Sequence, residues 1–68
     1  MIVIDSAAVQ AAMLKREIGV MELAELAKIP PKTVSAAHKR DIRVNLPTVA
    51  RLARALNVEA QSIIKAVI

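Results

Sequence analysis

The stretch Leu23 to Ser35, LAELAKIPPKTVS, constrains this chain more than any other. Leu23, Ala24 and Ala27 fall on one face at helical spacing. Pro30 and Pro31 then forbid continuation, because proline lacks the amide hydrogen and its ring crowds the preceding turn. Pro31 suits the first position of a new helix, where the missing N–H costs nothing. Beyond it Val34 and Ala37 return to an apolar face, while Lys32, Ser35, Ala36 and Lys39 point to solvent. The pattern is a helix over about residues 20–27, a tight break at Lys28, Ile29 and Pro30, and a second helix over about residues 31–39.

With 68 residues the chain makes one domain, residues 1–68, with a modest core. It has no Cys, so disulfides and thiolate metal sites are excluded, and the single His38 leaves no structural zinc site. Oligomerisation is the remaining way to reinforce so small a fold. The apolar fraction is 56% with no Phe, Tyr or Trp, so Ala, Leu, Ile, Val and Met must build the core. The Ala and Leu content favours an all-helical bundle. The lack of aromatics argues against binding RNA or single strands by base stacking. The formal net charge is +4 and the pI is near 10.2. From Pro30 to Arg54 there are six basic residues, Lys32, Lys39, Arg40, Arg43, Arg51 and Arg54, against the single acid Asp41. That half therefore holds the whole surplus, and an acidic polymer is its natural partner.

Along the chain, Met1 to Asp5 reads as a short strand or an extended N-terminal arm. Asp5 or Ser6 caps a first helix whose apolar face carries Val9, Ala12, Met13 and Leu14, closed by Lys15 to Glu17. Gly19, the only glycine, marks the next break. Arg40 to Val44 reads as a basic loop, and Asn45 caps a fourth helix with Val49, Leu52, Ala53 and Leu56 inward and Arg51 and Arg54 outward. Asn57 ends it. A fifth helix is expected over about residues 59–66, and the tail IIKAVI is more apolar than a monomer's end needs. Charges interrupt every apolar run well short of the ~18 residues of a membrane span. MIVID is no signal peptide, and a cytoplasmic location is expected.

Residues Ile18 to about Ile64 resemble the lambda-repressor-like, or Cro and XRE-type, helix-turn-helix domain. Leu23, Ala24, Ala27, Ile29, Thr33, Val34 and Ser35 match the family's central pattern, and Asn45, Leu46, Thr48, Leu52, Ala53, Ala55, Leu56 and Val58 match its downstream helix. The resemblance implies a five-helix all-α bundle that binds double-stranded DNA and catalyses nothing, with no cofactor. Val20 stands where the family usually has a phosphate-contacting Gln, and Pro30 stands at its usual Ser or Thr cap.

The expected DNA-binding residues are Pro31, Lys32, Thr33, Ser35, Ala36, Lys39, Arg40 and Arg43. Lys32 would reach a base edge or a phosphate from the start of the recognition helix. Thr33 and Ser35 would donate to a base or phosphate, the competing reading being local backbone bonds. Ala36 would pack on a thymine methyl, and Lys39, Arg40 and Arg43 would grip phosphates. One such helix reads few base pairs, so a homodimer is expected, built from Ile2, Val3, Ile4, Ile64, Val67 and Ile68. The expectation is a transcriptional repressor of phage, plasmid or mobile-element type that occludes a promoter. The alternative is a protein-interaction module, an antitoxin or adaptor, using the same fold. No carboxylate pair, Cys nucleophile or Gly-rich phosphate loop supports an enzyme.

Overall fold

A computed structural model describes all 68 residues. The elements are β1 (Ile2–Ile4), α1 (Ser6–Arg16), α2 (Val20–Ala27), α3 (Pro31–Lys39), β2 (Arg43–Val44), α4 (Leu46–Leu56), a 3-10 turn (Ala60–Ile63) and β3 (Ile64–Val67). Four α-helices are present rather than five. The expected fifth helix is replaced by the 3-10 turn and a strand, and the sheet order is β2-β1-β3, both pairings antiparallel. Ile63, Ile64, Val67 and Ile68 are β-branched, and the β1 edge offers them a ladder that a helix would forgo. The expected N-terminal arm is the central strand of this sheet. The basic loop after α3 is shorter than expected, because Arg43 and Val44 pair with Val3 and Ile2.

The core consists of 16 buried residues, all apolar, and no polar side chain is buried. Leu23, Ala24 and Ala27 of α2 meet Val34 and Ala37 of α3 and Val49, Leu52, Ala53 and Leu56 of α4. Ile2, Ile4, Val44 and Ile63 close the core from the sheet side. Ile2 and Ile4 are therefore committed to this chain's own core and are not available to a dimer contact. Leu14 is 74% exposed and lies outside the apolar face of α1 on which the spacing placed it.

Caps explain the helix limits. Asp5 accepts from the Ala8 amide to start α1, and Asn45 accepts from the Thr48 amide at 3.1 Å to start α4. Asn57 ends α4 in the left-handed conformation with φ 57°, which asparagine tolerates well. Gly19 caps α2 in ordinary extended backbone, and a Cβ there would meet nothing. The left-handed residue of that junction is Glu17, with φ 55°.

Candidate nucleic-acid interface

Lys28, Ile29 and Pro30 form the short connection between α2 and α3. Lys28 ends α2 in left-handed backbone, Ile29 is buried, and Pro30 precedes α3 with Pro31 in its first turn. Pro30 has no side-chain acceptor to cap the helix. The amides of Thr33 and Val34 donate to the Pro30 carbonyl at 3.0 and 3.2 Å, while the Lys32 amide has no acceptor within the chain. An unpaired first-turn amide and the positive end of the helix dipole suit an anion.

Val34 and Ala37 hold α3 to the core, which leaves the opposite face outward. Five of the eight residues expected at the interface, Lys32, Ser35, Ala36, Lys39 and Arg40, line one shallow groove. Lys32, Ser35 or Ala36, and Lys39 fall three or four residues apart, one stripe of the helix, and Arg40 follows as its extended C-cap. Thr33 is half-buried beside that stripe and Pro31 lies round the helix, lining a depression with Pro30, Lys28 and Met21. Arg43 stands apart on β2, exposed and paired through its backbone with Val3.

The segment after α3 is held more firmly than a loop. The Ile4 amide donates to the Ile42 carbonyl at 2.8 Å, and Val44 is buried. Asp41 accepts from the Ser6 amide and the Ser6 hydroxyl, both at 2.9 Å, and from the Lys65 ammonium at 2.8 Å. These donors, Lys65 first and then Ser6, hold the Asp41 carboxyl at about 2, below its ordinary 3.8. Its bond to Asp41 raises the Lys65 ammonium correspondingly. A bulge aims Lys65 at this carboxylate: Val3 faces Ala66 and Ile4 faces Ile64, so Lys65 is the extra residue. The sequence reading counted Asp41 only as the lone acid of a basic half and missed this anchoring role.

The Lys65–Asp41 contact is the chain's single ion pair. Lys32, Lys39, Arg40 and Arg43 therefore carry no internal counter-ion, although all four are exposed. An eight-residue bracing helix, a tight turn and a nine-residue helix with a basic, polar outer stripe make up a helix-turn-helix. The chain belongs to the Cro/C1-type helix-turn-helix DNA-binding domains, whose family model matches residues 9–67. No curated protein and no solved structure matches it. Domains of this family are typically non-enzymatic. No helix is long and apolar enough to cross a membrane.

Val20, at the usual site of a phosphate-binding Gln, packs half-buried against the core. The N-terminus of α2 thus gives up a polar contact for an apolar one.

Proposed function

We propose that this protein is a sequence-specific regulator that binds duplex DNA through α3 and represses transcription as a dimer by occluding a promoter. A compact regulator of phage, plasmid or mobile-element type fits this reading. The observation that carries it is the outward stripe Lys32, Ser35, Ala36, Lys39 and Arg40, whose cations lack any acid partner. Lys32, Ser35 and Ala36 face base edges in the major groove, and Pro31 and Thr33 flank them. Lys39, Arg40 and Arg43 neutralise phosphates and set position.

The dimer rests on β3. It is an edge strand, Val67 and Ile68 are 74% and 68% exposed, and Ile64 is half-buried. An uncovered apolar edge is a template for another strand, and a two-fold pairing of β3 with a second copy closes it. Four cations per protomer, doubled in a dimer, give a log–log salt slope of about −7 for duplex affinity.

Selection of bound sequences from random duplexes tests the reading. The expected product is a site with two half-sites about one helical turn apart. No enrichment, together with no binding of any duplex at low salt, refutes it. Enrichment of a single half-site by a monomer refutes the dimer alone.

A further inference from the structure

We infer that the groove between the carboxyl-terminal halves of α2 and α4 is a docking site for an acidic segment of a partner protein that carries a large apolar side chain. The groove is an open depression of about 410 Å³ lined by Leu26, Ala27, Lys28, Arg51, Arg54 and Ala55. Its lining includes Leu26, which is 53% exposed, whereas Leu23 of the same helix is fully buried. Its rim carries three cations, none with a carboxylate within ion-pair distance. The nearest acid along α2, Glu25, lines the adjoining depression on the far side of Lys28 and not this groove.

Helix ends account for part of this charge. Lys28 and Arg54 stand at the carboxyl ends of α2 and α4, where cations are favoured. Arg51 lies a turn earlier and on the same face as Arg54, so the two like charges repel at a spacing of three residues. No carboxylate of the chain pairs with either arginine. Lys28 also holds a left-handed position, φ 57°, which glycine or asparagine would occupy with less strain. Three unpaired cations stand beside the apolar side chains of Leu26 and Ala55, and an acidic ligand supplies the carboxylates that the chain does not.

The chemistry favours a peptide over a nucleic acid. Arg51 and Arg54 offer planar forks that grip carboxylates in a bidentate manner, and Lys28 adds a point charge. Leu26 and Ala55 offer apolar area that a phosphate backbone leaves unused. The groove shares no residue with the α3 stripe. α2 packs against both α3 and α4, whereas α3 and α4 barely touch. A partner in this groove therefore leaves the recognition helix open, and the domain carries two independent faces.

The test uses the full chain and a fluorescein-labelled peptide of repeated Glu-Glu-Leu, with a Glu-Glu-Ser repeat as control and a short duplex DNA in parallel. The expected result is binding of the Leu peptide, with amide NMR shifts at Leu26, Lys28, Arg51, Arg54 and Ala55 and none at Ser35, Ala36 or Lys39. The Ser peptide binds several-fold more weakly. The double variant R51E/R54E lowers peptide affinity about tenfold or more and leaves duplex affinity within about threefold at moderate salt. Both arginines are exposed, and R51Q/R54Q, with a urea midpoint matched to the parent, controls for misfolding. Failure of the Leu peptide to bind, or shifts centred on α3, overturns the proposal. Duplex DNA that shifts Arg51 and Arg54 and binds R51Q/R54Q weakly also overturns it, making the groove a phosphate contact. The proposal does not depend on α3: loss of duplex binding in the parallel arm refutes the repressor reading and leaves the groove untouched.

Discussion

Ile4→Ala separates a strand that builds the monomer from an arm that would build a dimer. Ile4 is fully buried in the central strand β1, among the side chains that close the core from the sheet side. Alanine removes three carbons, a transfer loss of about 2.4 kcal/mol at ~0.8 per methylene, and the cavity left behind raises this to about 3–4 kcal/mol. A 68-residue domain has about 3–10 kcal/mol of stability in all, so the variant loses a third or more. Urea unfolding followed by far-UV circular dichroism measures it. With a slope of about 1 kcal/mol per molar for so small a protein, the midpoint falls by roughly 3 M, or the variant is already partly unfolded in buffer. Val67→Ala, at a position 74% exposed, moves the monomer's midpoint by less than about 0.5 M. The comparison is made over a wide range of protein concentration. If Ile4 stabilised only a dimer, its effect would vanish on dilution while the secondary structure persisted. A loss below about 1 kcal/mol at low concentration would refute the assignment of β1 to the monomer core.

Other perturbations address the interface and its supports. Lys32→Ala changes the sequence preference recovered from random duplexes, whereas Arg43→Ala weakens all duplexes alike and reduces the salt slope by about 1 per site, read by fluorescence titration. Asp41→Asn removes a carboxylate held at about 2 in the fold against an ordinary 3.8. A depressed folded pKa adds stability above 3.8 that is lost as pH falls through 2, so the variant's stability declines less between those pH values in urea melts. Asn45→Ala deletes the acceptor for the Thr48 amide and hydroxyl and costs about 1 kcal/mol by the same melts. Gly19→Ser places a Cβ in open space at the α2 cap and stabilises by about 0.5 kcal/mol; a destabilised variant would show that the glycine is required.

The parts legible in the sequence are those that local chemistry decides. Two adjacent prolines after an apolar helical face can only break and restart a helix, so the approximate spans of α2 and α3 were readable. Asn45 and Asn57 were readable as caps because their short side chains compete for backbone partners. The outward stripe of α3 followed from spacing alone, and Lys32, Ser35, Ala36 and Lys39 do share a groove. The tail was not readable in this way. IIKAVI is equally apolar along a helix or a strand, and what decides between them is the edge of β1, some sixty residues earlier in the chain. The same non-locality hid the anchoring of Asp41, whose partners Ser6 and Lys65 are 35 and 24 positions away.

Those distant anchors bear on the DNA contacts proposed for Arg40 and Arg43. Ordering a long side chain at an interface costs about 0.5–1.5 kcal/mol, and ordering its backbone costs about 1–2 kcal/mol per residue in addition. The backbone around Arg40 and Arg43 has already met that second cost. Arg40 is tied to the Ala36 carbonyl at 3.0 Å, Asp41 to Ser6, Ile42 to Ile4 and Val44 to Ile2. In the proposed docking, only the side chains of Lys39, Arg40 and Arg43 remain to be ordered on a phosphate backbone. On the same proposal, with Val20 in place of a polar contact at the α2 terminus, a small set of pre-positioned cations supplies most of the sequence-independent affinity. Loosening the β1–β2 pairing should therefore weaken all duplexes together, without changing which sequence is preferred.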